Sequence, residues 1–197
     1  MATAAAQLQR FRGTRARSPG FWGMMLLIAT EGSLFAYLLF SYFYLGSMAV
    51  GPWPPDGPPS LKLVIPNTIL LLLSSGTMYW AESGIRRGLV GRLRAGLLAT
   101  LILGIVFLVI QGVEYSKKHF TPTTSAYGSL FFTVTGFHGA HVFVGLLMIA
   151  VVATRAFLGH FRAGRHEAVT NVSWYWHFVD VVWLCVFTSL YVSPYLG

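Results

Sequence analysis

The stretch YGSLFFTVTGFHGAHVFVGLLMIAVVATRAFL, residues 127–158, decides how the whole chain is read. It meets no Asp, Glu, Lys or Arg before Arg155, and at about 1.5 Å per residue it is long enough to cross a hydrocarbon layer of about 30 Å. Working outward, four further apolar runs pass the same test: Phe21 to Gly46, Leu61 to Trp80, Leu93 to Tyr115 and Val172 to Tyr195. The expected fold is an all-α membrane protein with a bundle of five transmembrane helices. Between the first two runs, GPWPPDGPPS is too rich in proline to continue a helix and reads as a surface loop. Pro66 falls inside the second run, where a kink is expected.

Composition agrees. Of 197 residues 55% are hydrophobic and 10% charged, with mean hydropathy +0.62, whereas soluble domains carry about 25% charge. The net charge of +8 does not follow one face, so nucleic acid is not the expected partner. The basic residues instead mark topology. Arg10, Arg12, Arg15 and Arg17 precede the first span; Arg86, Arg87, Arg92 and Arg94 follow the second; Arg155, Arg162 and Arg165 follow the fourth. Only Lys62, Lys117 and Lys118 fall on the opposite side, so the N-terminus is expected in the cytoplasm and the C-terminus outside. Residues 1–20 read as a basic tail without a cleavable signal, and 21–197 as one domain. The single cysteine, Cys185, excludes an internal disulfide and reads as a small apolar packing residue.

Ionisable groups in hydrocarbon are costly, about 2.5–3.5 kcal/mol each on insertion scales, and normally face a partner inside the bundle. They are few here: Glu31, Glu114, His138, His141, His177 and Asp180. Measured from the cytoplasmic ends, Glu31 lies about 17 Å deep, His141 about 21 Å and His138 about 25 Å, so a Glu31–His141 pair is expected if the first and fourth helices touch. His177 and Asp180 share a helix face at about 8–12 Å. The plainest expectation is that all of these make interhelical hydrogen bonds. Bis-histidine haem ligation is disfavoured, because His138 or His141 lies about 10–17 Å from His177 along the membrane normal. A metal site from Glu31, His138 and His141 lacks a charged surround, and a proton relay through Glu31 or Asp180 lacks a continuation beyond Gln111 and Glu114. Gly96, Thr100 and Gly104 form a small-residue stripe suited to close helix packing, while Trp174, Tyr175 and Trp176 read as interfacial anchors. No phosphate-binding loop, GxSxG elbow or HExxH motif occurs.

Two runs carry a resemblance. YGSLFFTVTGFHGAHVFVG, from Tyr127 to Gly145, and WYWHFVDVVWL, from Trp174 to Leu184, closely resemble the signature helices of cytochrome c oxidase subunit III. WGMMLLIATE ending at Glu31, WPP at 53–55, PNT at 66–68, WA at 80–81 and EY at 114–115 match in order, so the resemblance covers nearly everything after Phe21. It implies a non-catalytic subunit of a proton-pumping oxygen reductase, with haem and copper held by partner subunits and none by this chain. Subunit I would be the main contact, subunit II a further partner, and cytochrome c the electron donor to the complex. It also implies bound phospholipid: Glu31 as the buried carboxylate of a lipid cleft, His138 and His141 lining it, and Arg155 on a lipid phosphate. His177, Asp180, Glu114 and Trp176 would be structural contacts between helices. Longer members have seven helices, and this chain opens at what resembles their third, so another subunit would supply the missing cleft wall. Many relatives carry a glutamate just ahead of the aromatic run, where VTNVS stands here and Glu167 comes a few residues earlier. Quinol oxidases and nitric oxide reductase assemblies use related third subunits, leaving the donor open. A small proton-coupled transporter is the reading from another class, but it calls for paired broken helices or an inverted repeat, and neither is evident. A bacterial inner membrane is the expected location.

Overall fold

The computed structural model describes residues 18–55 and 57–196, all helix and loop. The arginines of the N-terminal tail lie outside the described residues. Five helices follow in order: α1 (Pro19–Met48), α2 (Val64–Arg86), α3 (Val90–Ser116), α4 (Ala126–Phe157) and α5 (Glu167–Phe187). A π-helical turn at Thr188–Val192 and a 3-10 turn at Ser193–Tyr195 finish the chain's last crossing.

Local chemistry sets the boundaries. Ser18 caps α1, accepting from the Phe21 amide at 3.4 Å, with Pro19 in the first helical position; Ser125 caps α4 through the Gly128 amide at 3.0 Å. α2 and α4 end alike. Gly88 (φ 78°) lets the amides of Gly88 and Leu89 bond back to Ile85 at 2.9 Å and Gly84 at 3.0 Å. Gly159 (φ 78°) does the same, its own amide reaching Ala156 at 3.2 Å and that of His160 reaching Arg155 at 3.1 Å. Both arginine-bearing turns therefore reverse the chain sharply.

Helices α2, α3, α4 and α5 form a four-helix ring, and α1 lies outside it against α4 and α5. Of α1 only Phe35 and Tyr42 are fully buried, so most of its apolar surface faces outward. The arginine-bearing ends meet in space: Arg94, early in α3, donates from Nε to Ala156 O at 3.1 Å and from Nη2 to Phe157 O at 3.4 Å at the end of α4. At the opposite end Tyr42, Trp53 and Tyr127 cluster, with Trp53 and Tyr127 ring centroids 5.4 Å apart.

Four helical segments, Pro19–Met48, Val90–Ser116, Ala126–Phe157 and Glu167–Tyr195, are long and apolar enough to cross a membrane. α2 is not among them, because Asn67, Thr68, Ser74, Ser75, Thr77 and Glu82 lower its hydropathy. Asn67, Thr68, Ser74 and Glu82 are buried against neighbouring helices, while Ile65, Ile69, Leu72, Leu73, Tyr79 and Trp80 point out. The helix turns its polar residues inward, among buried Leu71, Met78 and Ile85, and shows a largely apolar outer face.

Three expectations are corrected. Pro66 sits in the first turn of α2, where its missing N–H has no intrahelical acceptor to lose, so the kink expected within a longer span has no basis. Of the aromatic run opening α5, only Trp174 faces outward as an anchor; Tyr175 and Trp176 are buried, because glycines on α3 and α4 make room for an indole. Cys185 is exposed on the α1–α5 groove instead of packed in the core.

Candidate functional site

The small-residue stripe on α3 is where the ring closes. A Cβ added at Gly96 would stand 2.6 Å from Ala81 Cβ, and one at Gly104 would stand 2.6 Å from Leu146 Cδ2 and 2.8 Å from Trp176 Cη2. Between them Thr100 Oγ1 meets Thr77 Oγ1 at 2.8 Å. This close approach brings a row of α2 hydroxyls to face α5. Trp176 Nε1 donates to Ser74 Oγ at 3.0 Å, and Trp183 Nε1 to Thr68 Oγ1 at 3.0 Å. Ser75 Oγ lies 2.8 Å from His177 Nδ1 and also donates to Asp180 Oδ2. The shared face of His177 and Asp180 is thus read by one serine. Ser75→Ala leaves Asp180 buried without this donor, and a loss of about 1–3 kcal/mol is expected in a detergent unfolding titration.

Glu31 and His141 do meet: Oε2 and Nε2 are 3.0 Å apart, and His141 Nδ1 faces Phe137 O at 2.7 Å. The second contact orients the imidazole. Donation from Nε2 to the carboxylate would make Nδ1 carry a proton only in the charged ring, so in that state both nitrogens find acceptors. Tyr175 donates to His141 O at 3.3 Å, tying α5 to the same point. Neither partner is sealed: the Glu31 side chain is 29% exposed and that of His141 14%.

His138 behaves differently. It is 1% exposed, and neither ring nitrogen has a hydrogen-bond partner among the described residues. Aromatic rings surround it, with Trp183 at 4.8 Å, Phe107 at 6.0 Å and Phe35 at 6.4 Å between centroids. The expectation of a hydrogen-bonded His138 fails here because one helical turn below His141 carries it past the polar level into an aromatic layer. His138→Phe is accordingly expected to leave thermal stability within about 1 kcal/mol or to raise it, measured by the detergent melting curve.

Glu114 accepts from Tyr191 OH at 3.1 Å and pairs with Lys118 at 2.9 Å, so its partners come from the chain's last turns and from the next helical turn. Arg155 is exposed in the last turn of α4, its guanidinium 5.6 Å from the Phe161 ring centre and paired with no carboxylate among the described residues. Sequence reading missed Glu82, a buried carboxylate paired with Arg86 at 2.5 Å, because the expected span stopped at Trp80. It also passed over Ser74 and Ser75; hydroxyls are unremarkable in a helix until a partner indole or carboxylate faces them. Among the described residues no three His, Cys, Asp or Glu side chains converge as a metal-holding group.

Fold and site together define a polytopic helical membrane protein, several of whose interior polar groups join one helix to another. Residues 9–195 match the family model for cytochrome c oxidase subunit III. The chain is 40% identical over 178 residues to cytochrome c oxidase subunit 3 of Arabidopsis thaliana, covering 86% of this chain and 67% of the relative. The subunit of Lumbricus terrestris is 37% identical over 180 residues (86% and 68%), and that of Danio rerio 39% over 179 (86% and 68%). The chain belongs to the cytochrome c oxidase subunit III family, and so to the haem-copper oxidase complexes of the respiratory chain.

Proposed function

We propose that this subunit works without a redox centre of its own, packing beside subunit I, with subunit II in the same complex, and holding phospholipid against the face that carries Glu31, His141 and Arg155. The reading rests above all on the Glu31–His141 pair. It sits about 18 Å along α1, at mid-membrane depth, yet 29% of the Glu31 side chain remains uncovered. A carboxyl–imidazole contact left open to hydrocarbon at that depth calls for a cover, and a lipid or a neighbouring subunit supplies one. Arg155, paired with no carboxylate among the described residues at the end of α4, suits a lipid phosphate at head-group level. His138 backs the face from one helical turn away, inside the aromatic layer, while Glu114, Trp176, His177 and Asp180 hold helices together.

All five helices cross the membrane in this reading. The inside-out polarity of α2 supports its crossing, since its low hydropathy comes largely from side chains turned inward. The arginines, gathered at one end, support a cytoplasmic N-terminus and an outer C-terminus. Residues 1–20 act as a tail to a single domain. Cytochrome c donates electrons to the complex, whose chemistry is the reduction of dioxygen to water with proton pumping; the membrane is a bacterial inner membrane.

The chain purified in mild detergent should bring down a haem-bearing partner that consumes dioxygen. Glu31→Ala should lower retained lipid and shorten the oxidase's working life while leaving the haem spectrum unchanged; a shifted haem spectrum would contradict the supporting role.

A further inference from the structure

A second surface, at the far end of the bundle from the arginines, has the chemistry of an anion site. The proline loop before α2 and the loop joining α3 to α4 border an open cleft of about 920 Å³, within the range of ligand pockets. Its lining combines apolar residues, Leu63, Phe120 and Tyr127 with Pro54, Pro58 and Pro59, and cationic ones. Three lysines line it, and they are not equivalent. Lys118 is committed: its side chain is 12% exposed, it pairs with Glu114 at 2.9 Å, and its ammonium lies 4.7 Å from the Phe131 ring centre. Glu114 is itself 5% exposed, so this pair forms a neutral floor.

Lys62 and Lys117 are different. Both are exposed, and neither has an ion-pair partner among the described residues. They approach one cavity from separate loops, and His119 stands beside them. The amides opening α2 are already taken, Ile65 N bonding to Leu61 O at 3.1 Å and Asn67 N to Leu63 O at 3.1 Å, so the lysines and not the helix end supply the positive charge here. Lys62 stands two residues before α2 and Lys117 directly follows α3, which puts the cations at the ends of long helices, where head groups lie.

We propose that this cavity binds an anionic phospholipid from the outer leaflet, its phosphate between Lys62 and Lys117 and the start of its acyl chains against Leu63, Phe120 and Tyr127. The mixed lining favours a phosphate with an apolar tail over a bare one: free phosphate would leave the aromatic and proline wall in water. Glu31 and His141 lie about halfway along their helices, so this site is separate from the lipid-facing pair, and failure of either leaves the other standing.

The test uses the intact oxidase complex in phosphatidylcholine nanodiscs containing a photoreactive phosphatidylglycerol, with adducts mapped by mass spectrometry. Adducts are expected on the segments holding Leu63 and Phe120. Lys62→Gln with Lys117→Gln should reduce those adducts at least about tenfold and leave adducts elsewhere in the complex unchanged. Both lysines are exposed, and yield and haem spectrum report assembly; if the double variant assembles poorly, Lys117→Gln alone should give about a fivefold reduction. Millimolar glycerol phosphate should not compete. Equal adduct yield in the variants overturns the proposal, as does displacement by glycerol phosphate, which would make the occupant a soluble anion. So does a photo-cross-linker at position 117 that captures a polypeptide in place of lipid.

Discussion

Gly96→Leu is expected to prevent the subunit from accumulating in the membrane. Even the first added carbon would stand 2.6 Å from Ala81 Cβ, 2.9 Å from Thr77 O and 3.0 Å from Ala81 Cα. Two of those three atoms belong to the α2 backbone, so no rotamer change relieves the contact, and the helices must separate. Separation would also break the Thr77–Thr100 contact, leaving two hydroxyls without this partner between helices. Overpacking ordinarily costs about 1–3 kcal/mol, and an unyielding backbone puts this case at or above the upper end. Gly91→Leu is the control. Nothing lies within 4 Å of its Cβ position, so the same side chain one and a half turns earlier should be tolerated. Membrane immunoblots and detergent melting of the two variants decide the matter.

Trp176→Ala should cost about 3–5 kcal/mol, the second large effect. The indole is fully buried, donates to Ser74 at 3.0 Å, and fills the space left by two glycines on different helices. A Cβ at Gly145 would lie 2.9 Å from Trp176 Cε3 and 3.0 Å from Cζ3, so Gly145→Ala is damaging while the indole is present. Once the indole is gone that clash disappears, leaving only the 3.3 Å approach to Tyr175 Cε1. The double variant should therefore be more stable than the sum of the single losses implies, by at least about 1 kcal/mol. Strict additivity in a melting or denaturant series would mean that Trp176 and Gly145 do not share this space.

Residues that the bilayer itself constrains were legible without a structure. The long uncharged runs, the proline-rich break before α2 and the grouping of arginines follow from what hydrocarbon excludes, and that rule acts on each segment separately. Glu31 and His141 were matched by depth because rise per residue is fixed in a helix. Rotation about the helix axis is not fixed by depth. His138 and His141 share a face and both touch Phe35, yet one turn of difference puts His141 beside a carboxylate and His138 against Phe107 and Trp183. Trp176 read as an interfacial anchor for the same reason: its amphipathic ring fits either place, and only Gly104 and Gly145 on neighbouring helices decide for the interior.

By itself, then, the order of residues determined that this chain is helical and membrane-embedded, where most of its helices begin and end, and which polar groups need partners, because solvent exclusion and helix geometry operate locally along the chain. Tertiary structure alone decided that Ser75 serves both His177 and Asp180, that α1 lies outside a ring of four, that α2 hides its polar face, and that Lys62 and Lys117 face one cavity. Each of those depends on how helices distant in sequence rotate and approach, and that is set by side-chain volumes meeting across an interface: a glycine admits what any larger residue would refuse.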